Sequence, residues 1–265
     1  MKYNKFVSAL VIFSIACFLL LSVGFVKGVN SVLDPGTNST QSMDKPDEQA
    51  SDLKEKKLIV AIGDSLTRGV GDSEGLGYTE RVKTILKNDF NQEIVLSNLA
   101  IGGLTTSGLL DEFKKESVLR TLTEADAIFL TIGGNDLFPG ADQLSAEYLA
   151  SYRPDEVTFK NNLDKIVSII RSENKNVPIY AYGYYNPFHN VPGLDVSSAF
   201  VSKWNDLLEQ SLLTTTNTYV IPTFDIFYNE EDRYLYTDHF HPNAEGYTQM
   251  AERLGAKFGS QLGDE

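Results

Sequence analysis

Cysteine is almost absent from this chain. Cys17 stands alone, so no internal disulfide can form, and a folded part must be held by its core even in an oxidising compartment. Positive charge is also short. With 23 Lys and Arg against 36 Asp and Glu, the formal net charge of -13 repels a phosphate backbone or an anionic lipid surface on average, so nucleic acid is excluded as an expected partner. Histidine is scarce too, and the search for a general base reduces to His189, His239 and His241. No internal repeat is present, which excludes a repeat array.

What is present suits one packed enzyme domain with extras. The 265 residues are 42% hydrophobic and include 13 Tyr and 15 Phe, enough to bury a substantial core. The N-terminus reads differently. Lys2 and Lys5 precede an uncharged apolar run from Phe6 to Val26, about 21 residues, long enough as a helix to cross a hydrocarbon layer of roughly 30 Å. Residues 1–28 are therefore expected to be a signal peptide or an uncleaved N-terminal membrane anchor, with uncleaved anchoring favoured by the length of the run. The basic start places everything after it on the extracytoplasmic side. Cys17 sits inside the run, which continues through Phe18-Leu19-Leu20-Leu21, so it reads as membrane-buried rather than lipidated. Residues 29–56 are polar and poor in large apolar side chains, the composition of a flexible linker. The folded domain is expected over 57–265.

Within it, the run Leu58-Ile59-Val60-Ala61-Ile62 before Gly63 predicts a strand buried on both faces. Further strands are expected at Ile94–Leu99, Ala127–Ile132, Ile179–Tyr182 and Thr218–Ile221. Helical spacing predicts helices over Tyr78–Phe90, Phe159–Ser172, Ser197–Leu213 and Asn243–Lys257. Strands alternating with helices imply an α/β architecture with a parallel sheet covered on both faces. Such sheets place their sites at the carboxyl ends of strands. Three clusters fall there: Gly63-Asp64-Ser65, Ala100-Ile101-Gly102-Gly103 and Gly133-Gly134-Asn135-Asp136.

A serine hydroxyl becomes a useful nucleophile when a base takes its proton and a carboxylate orients that base. In Thr237-Asp238-His239-Phe240-His241-Pro242, Asp238 and His241 are spaced so that one turn brings carboxylate and imidazole together. Acyl transfer also needs donors for a developing oxyanion, and the backbone N-H groups of Ser65 and Gly103 and the side-chain amide of Asn135 are candidates. Each cluster has an ordinary structural reading as well. Asp64 or Ser65 can cap a helix, and the glycines can simply make turns. Asp64 and Asp136 are assigned to structure, and His189 and His239 to surface or half-buried positions. No ligand pattern of metal type accompanies His239 and His241.

Together these blocks resemble, in order and spacing, those of the SGNH, or GDSL-type, hydrolase family. Within it the chain is similar to the bacterial lipase/acylhydrolase branch that resembles thioesterase I and lysophospholipase. The resemblance covers about Leu58 to Phe258. It implies a three-layer α/β/α flavodoxin-like fold with a central five-stranded parallel sheet, and ester or thioester hydrolysis with no metal or cofactor. It further implies Ser65 as nucleophile, His241 as base oriented by Asp238, and Ser65, Gly103 and Asn135 as oxyanion donors. Leu104 stands where many relatives carry a polar residue, and with Leu137 and Phe138 it is expected at the substrate rim. The stretch Leu137–Asp155 as a whole is expected to wall an acyl pocket. A lipid or small-molecule ester is the expected substrate; a carbohydrate O-acetyl esterase and a non-catalytic binding module on the same fold are the alternatives.

Overall fold

The computed structural model describes residues 56–139 and 146–262. The expected anchor or signal segment, the linker up to residue 55 and Leu144 lie outside the described residues. Among the described residues no helix is long and apolar enough to cross a membrane.

The apolar runs form five strands: β1 (Lys57–Gly63), β2 (Ile94–Asn98), β3 (Ala127–Thr131), β4 (Ile179–Tyr182) and β5 (Thr218–Ile221). All pair in parallel in the order β2-β1-β3-β4-β5. The chain therefore starts in the middle of the sheet, moves to one edge and returns to build the other. β3 and β4 are buried throughout, whereas the edge strands β2 and β5 are partly open.

The helices longer than a single turn are α1 (Gly77–Phe90), α2 (Thr106–Glu112), α3 (Glu116–Thr123), α4 (Ala146–Ser151), α5 (Glu156–Glu173), α6 (Val196–Leu212) and α7 (Ala244–Leu262). Because side chains alternate along a strand, each strand feeds two cores. Val60, Ile62, Ile128, Leu130 and Ala181 pack with Phe159 and Ile166 of α5 and Val201 and Trp204 of α6. Ile59, Ala61, Phe129, Tyr180 and Tyr182 pack with Tyr78 and Val82 of α1 and Met250 and Leu254 of α7. The three-layer α/β/α arrangement with a five-stranded parallel sheet is the one expected.

Several local details differ from the sequence-based expectation. Helices α2 and α3 occupy the β2–β3 crossover, and α4 precedes α5, where no helix was expected. In α2 and α3 only Thr106, Leu109 and Leu122 are buried, too few to make a visible helical stripe. Thr105 caps α2 by accepting from the Gly108 N-H. The closing helix runs on to Leu262 because Phe258 is buried and Gly259 lies against the Phe90 ring. Just before that helix, Pro242 forms an isolated antiparallel bridge with Leu235, and Asn243 caps α7 by accepting from Gly246 N-H at 3.0 Å.

Candidate active site

At the end of β1, Gly63 adopts φ +149, and a Cβ there would lie 2.1 Å from the Thr131 carbonyl oxygen. Only glycine allows so close an approach of β1 to β3. Next, Asp64 leaves the strand in an extended conformation and accepts from the Leu66 N-H at 3.1 Å, capping the single helical turn Ser65–Arg68. Ser65 is thus fixed at the carboxyl edge of the sheet and is only 7% exposed.

The partner group arrives from the other end of the chain. His241 Nε2 lies 2.8 Å from Ser65 Oγ, and His241 Nδ1 lies 2.7 Å from Asp238 Oδ2. Asp238 Oδ1 accepts from the N-H groups of Phe240 and His241, both at 3.0 Å. Partial burial pushes the Asp238 carboxyl up, but the bonds from His241 and the two backbone donors outweigh it and hold the carboxyl below its usual range. An ionised Asp238 is suited to hold the imidazole with its proton on Nδ1, leaving Nε2 to accept from Ser65.

Two further supports fix His241. The Tyr185 hydroxyl donates to the Phe240 carbonyl at 2.7 Å. On the opposite side Gly71, at φ +92, presses so closely that a Cβ would stand 2.9 Å from His241 Cβ and 2.5 Å from the Pro242 carbonyl oxygen. The Gly71 loop is itself pinned. Tyr247 donates its hydroxyl to the Val70 carbonyl at 2.8 Å, and Asp72 accepts from the Glu74, Leu76 and Gly77 N-H groups and from Arg81.

The expected oxyanion donors are distributed around this pair. Asn135 lines the cleft beside Ser65, and its Nδ2 donates one hydrogen to the Leu104 carbonyl at 2.9 Å, leaving the second N-H. Ile101 N-H donates to the Gly63 carbonyl at 2.9 Å. Gly103 lies between those two attachments, exposed and at φ +76. It does not line the cleft.

Asp136 accepts from the backbone N-H and hydroxyl of Thr106, the structural role expected of it. Asp64 is structural in the same sense, but its setting is unusual. Its Oδ1 accepts from Thr131 Oγ1 at 2.8 Å, Thr131 Oγ1 lies 2.7 Å from Thr67 Oγ1, and Thr67 Oγ1 lies 2.7 Å from the Tyr78 hydroxyl. Thr131 spends its only hydroxyl hydrogen on Asp64, so Thr67 must donate to Thr131 and Tyr78 to Thr67. Burial raises the Asp64 carboxyl to about 6, against the pull of the Thr131 and Leu66 hydrogen bonds.

His189 packs at a tilt against the Tyr228 ring, centroids 4.2 Å apart, and His239 is exposed at φ +54; neither is hydrogen-bonded to Ser65, Asp238 or His241. Of the expected substrate-rim residues, Leu137 and Phe138 line the cleft and Leu104 does not. The rest of the expected Leu137–Asp155 wall is also elsewhere where it is described: Tyr148 and Tyr152 stack on each other at 5.1 Å, and Tyr152 donates to the Asp136 carbonyl. The opposite wall comes from Tyr182, Tyr184, Tyr185, Pro187 and Phe240, none of them expected there from the sequence. Tyr182 ends β4 and Tyr184, Tyr185 and Pro187 follow it, so the strand-end rule that found Ser65 and Asn135 applies to them too. No cluster of three or more potential metal ligands occurs among the described residues.

The chain as a whole has relatives among known proteins. Residues 61–249 match the GDSL-like lipase/acylhydrolase family, and the chain belongs to it. It is a carboxylic ester hydrolase. Its sequence is 31% identical over 204 residues to the spore germination lipase LipC of Bacillus licheniformis, covering 74% of this chain and 93% of that protein. It is also 32% identical over 220 residues to protein YpmR of Bacillus subtilis, covering 81% of this chain and 86% of that protein. Among solved structures, the lipase Lip_vut3 from a goat rumen metagenome superposes with a TM-score of 0.65 at 28% identity, over 76% of this chain and 96% of that one.

Two outcomes are expected from this geometry. Since Asp64 titrates near 6 in the folded chain against 3.8 ordinarily, the folded state holds its proton longer, and stability falls as pH rises from about 4 through 6. Asp64→Asn keeps an acceptor toward Leu66 and Thr131 and should remove up to about 3 kcal/mol of that fall; urea melts of both proteins at pH 4 and pH 7 check it, and parallel pH dependences would refute it. Gly71→Ala should push His241 away from Ser65 and lower kcat for ester hydrolysis by about tenfold to a hundredfold, with KM little changed. An unaltered kcat in a folded variant would show that this loop does not position His241.

Proposed function

We propose that this chain hydrolyses acyl esters through a covalent acyl-enzyme, with Ser65 as nucleophile, His241 as general base and acid, and Asp238 as the carboxylate that orients and stabilises the imidazole. The carrying observation is the unbroken Ser65 Oγ–His241 Nε2–Asp238 Oδ2 chain, with links of 2.8 Å and 2.7 Å. Family membership and the apolar cleft beside Ser65 support the same reading.

In the first step Ser65 Oγ bonds to the ester carbonyl carbon while its proton passes to His241 Nε2. The carbonyl oxygen takes up negative charge, and the N-H groups of Ser65 and Gly103 and the free Nδ2-H of Asn135 are the donors for it. The bond from Asn135 to the Leu104 carbonyl holds that amide in place before substrate arrives. Collapse of the tetrahedral species breaks the bond to the alcohol oxygen, which leaves with the proton from His241. Water then gives up a proton to His241 and attacks the acyl-Ser65 ester, and as the acyl carbon–Oγ bond breaks His241 returns that proton to Ser65 Oγ and the acid departs.

A lipidic ester as substrate is supported by the similarity to the spore germination lipase LipC and by the carbon-rich cleft walls. The reaction is assigned to the extracytoplasmic side on the basic start and apolar run of residues 1–28, which would tether the enzyme or be removed on export.

Ser65→Ala should lower turnover of a short nitrophenyl ester by at least about 10⁴-fold while leaving the thermal transition in place; near-normal activity in the variant would rule Ser65 out. Assay of membrane, medium and cytoplasmic fractions of expressing cells should find the activity in the first two. Recovery of active full-length chain only from the cytoplasm would overturn the location.

A further inference from the structure

The walls of the cleft beside Ser65 say what kind of acyl group enters it. Tyr182, Tyr184 and Tyr185 all face it, yet their hydroxyls are engaged with main-chain carbonyls: Tyr182 with Met250 at 2.9 Å, Tyr184 with Ile132 at 2.6 Å and Tyr185 with Phe240 at 2.7 Å. Each phenol has one hydrogen to donate, so these walls offer ring carbon and no phenolic donor to a ligand. Leu137 and Phe138 complete an apolar lining. The buried Asp64 carboxylate is the charged group among the lining residues, so a carboxylate-bearing acyl tail would be repelled once Asp64 ionises.

The position of His241 gives the orientation. His241 must reach the leaving alcohol, and it is not among the residues that line the cleft. The alcohol therefore departs on the open His241 side, and the cleft receives the acyl tail. Its free space is about 50 Å³. So small a space suits a short acyl chain rather than a long one.

We propose that the cleft is an acyl-selecting slot for short unbranched, uncharged acyl groups, with the alcohol half of the ester left outside and weakly discriminated. The inference rests on Ser65 as nucleophile, since that atom fixes where the carbonyl carbon sits. Phe138 helps set the limit. It packs edge-on against Phe188 at 5.2 Å, so it is braced from behind and cannot easily swing away from a longer chain.

The test is kcat/KM of the full chain for nitrophenyl esters from acetyl to palmitoyl, at concentrations below micelle formation, beside a set of butyrates of different alkyl alcohols. Each methylene entering the slot should raise kcat/KM by about three- to fourfold up to butyryl or hexanoyl. Lauroyl should fall at least about tenfold below that maximum. Phe138→Ala, or the milder Phe138→Leu if the first variant does not fold, should move the maximum toward longer chains. Acetyl as the best substrate, or a rate that keeps rising to palmitoyl, would overturn the proposal, as would strong selection among alcohols with indifference to the acyl chain. A Ser65→Ala protein that still hydrolyses these esters and still reacts with a fluorophosphonate would instead refute the nucleophile assignment, whatever the chain-length profile.

Discussion

The contact between Ser65 Oγ and His241 Nε2 joins residues 176 positions apart, and much of the architecture serves to hold those ends together. The helix after each residue does most of this. α1 follows the Ser65 turn and α7 follows His241, and the two lie side by side on one face of the sheet through Val82, Leu86, Met250 and Leu254. Gly255 and Gly259 let α7 settle on Ile85 and Phe90. Arg81 Nε donates to Thr248 Oγ1 at 3.1 Å, which ties the early turns of the two helices. With the helices in register, the loops that feed them are also in register, and Ser65 meets His241 as a result.

The same edge of the sheet carries an energetic liability. Asp64 is a buried carboxylate whose burial outweighs its hydrogen bonds, and Tyr78, Thr67 and Thr131 form a one-way donor chain ending on it. Three ordered hydroxyls and one backbone cap are spent on a side chain that touches neither His241 nor Asp238 by hydrogen bond. What they secure is the entry into the Ser65 turn and the fit of β1 against β3. Preorganisation of this kind costs stability where the chemistry is done and is offset by the apolar layers on both sides of the sheet.

The strands were legible because a parallel sheet buried on both faces leaves continuous apolar runs in the sequence, as in Leu58–Ile62 and Ala127–Ile132. The Ser65, Asn135 and Asp238–His241 clusters were legible because each is a short local pattern at a strand end or before a helix. Helices α2 and α3 were not, since they bury too few side chains to impose a period. Leu104 reads as a rim residue by its neighbourhood, but it serves the site through its carbonyl, an atom every residue has. The tyrosine wall was hidden for a related reason. Whether a tyrosine offers its ring or its hydroxyl depends on partners 52 to 68 residues away, and no local pattern records them.

The groups proposed to react are mounted on supports of unequal strength. Ser65 and Asn135 extend from β1 and β3, neighbours at the centre of the sheet. Asp238 and His241 sit on a loop closed by the lone Leu235–Pro242 bridge and steadied from outside by Tyr185 and the Gly71 loop. Such a loop can open without the sheet coming apart. On warming, the imidazole would part from the serine while the secondary structure remained intact, so heat would silence this enzyme reversibly before it melted. Thermal inactivation and unfolding would then be two separate events, and thermostabilising the catalyst would mean reinforcing that one loop rather than the core.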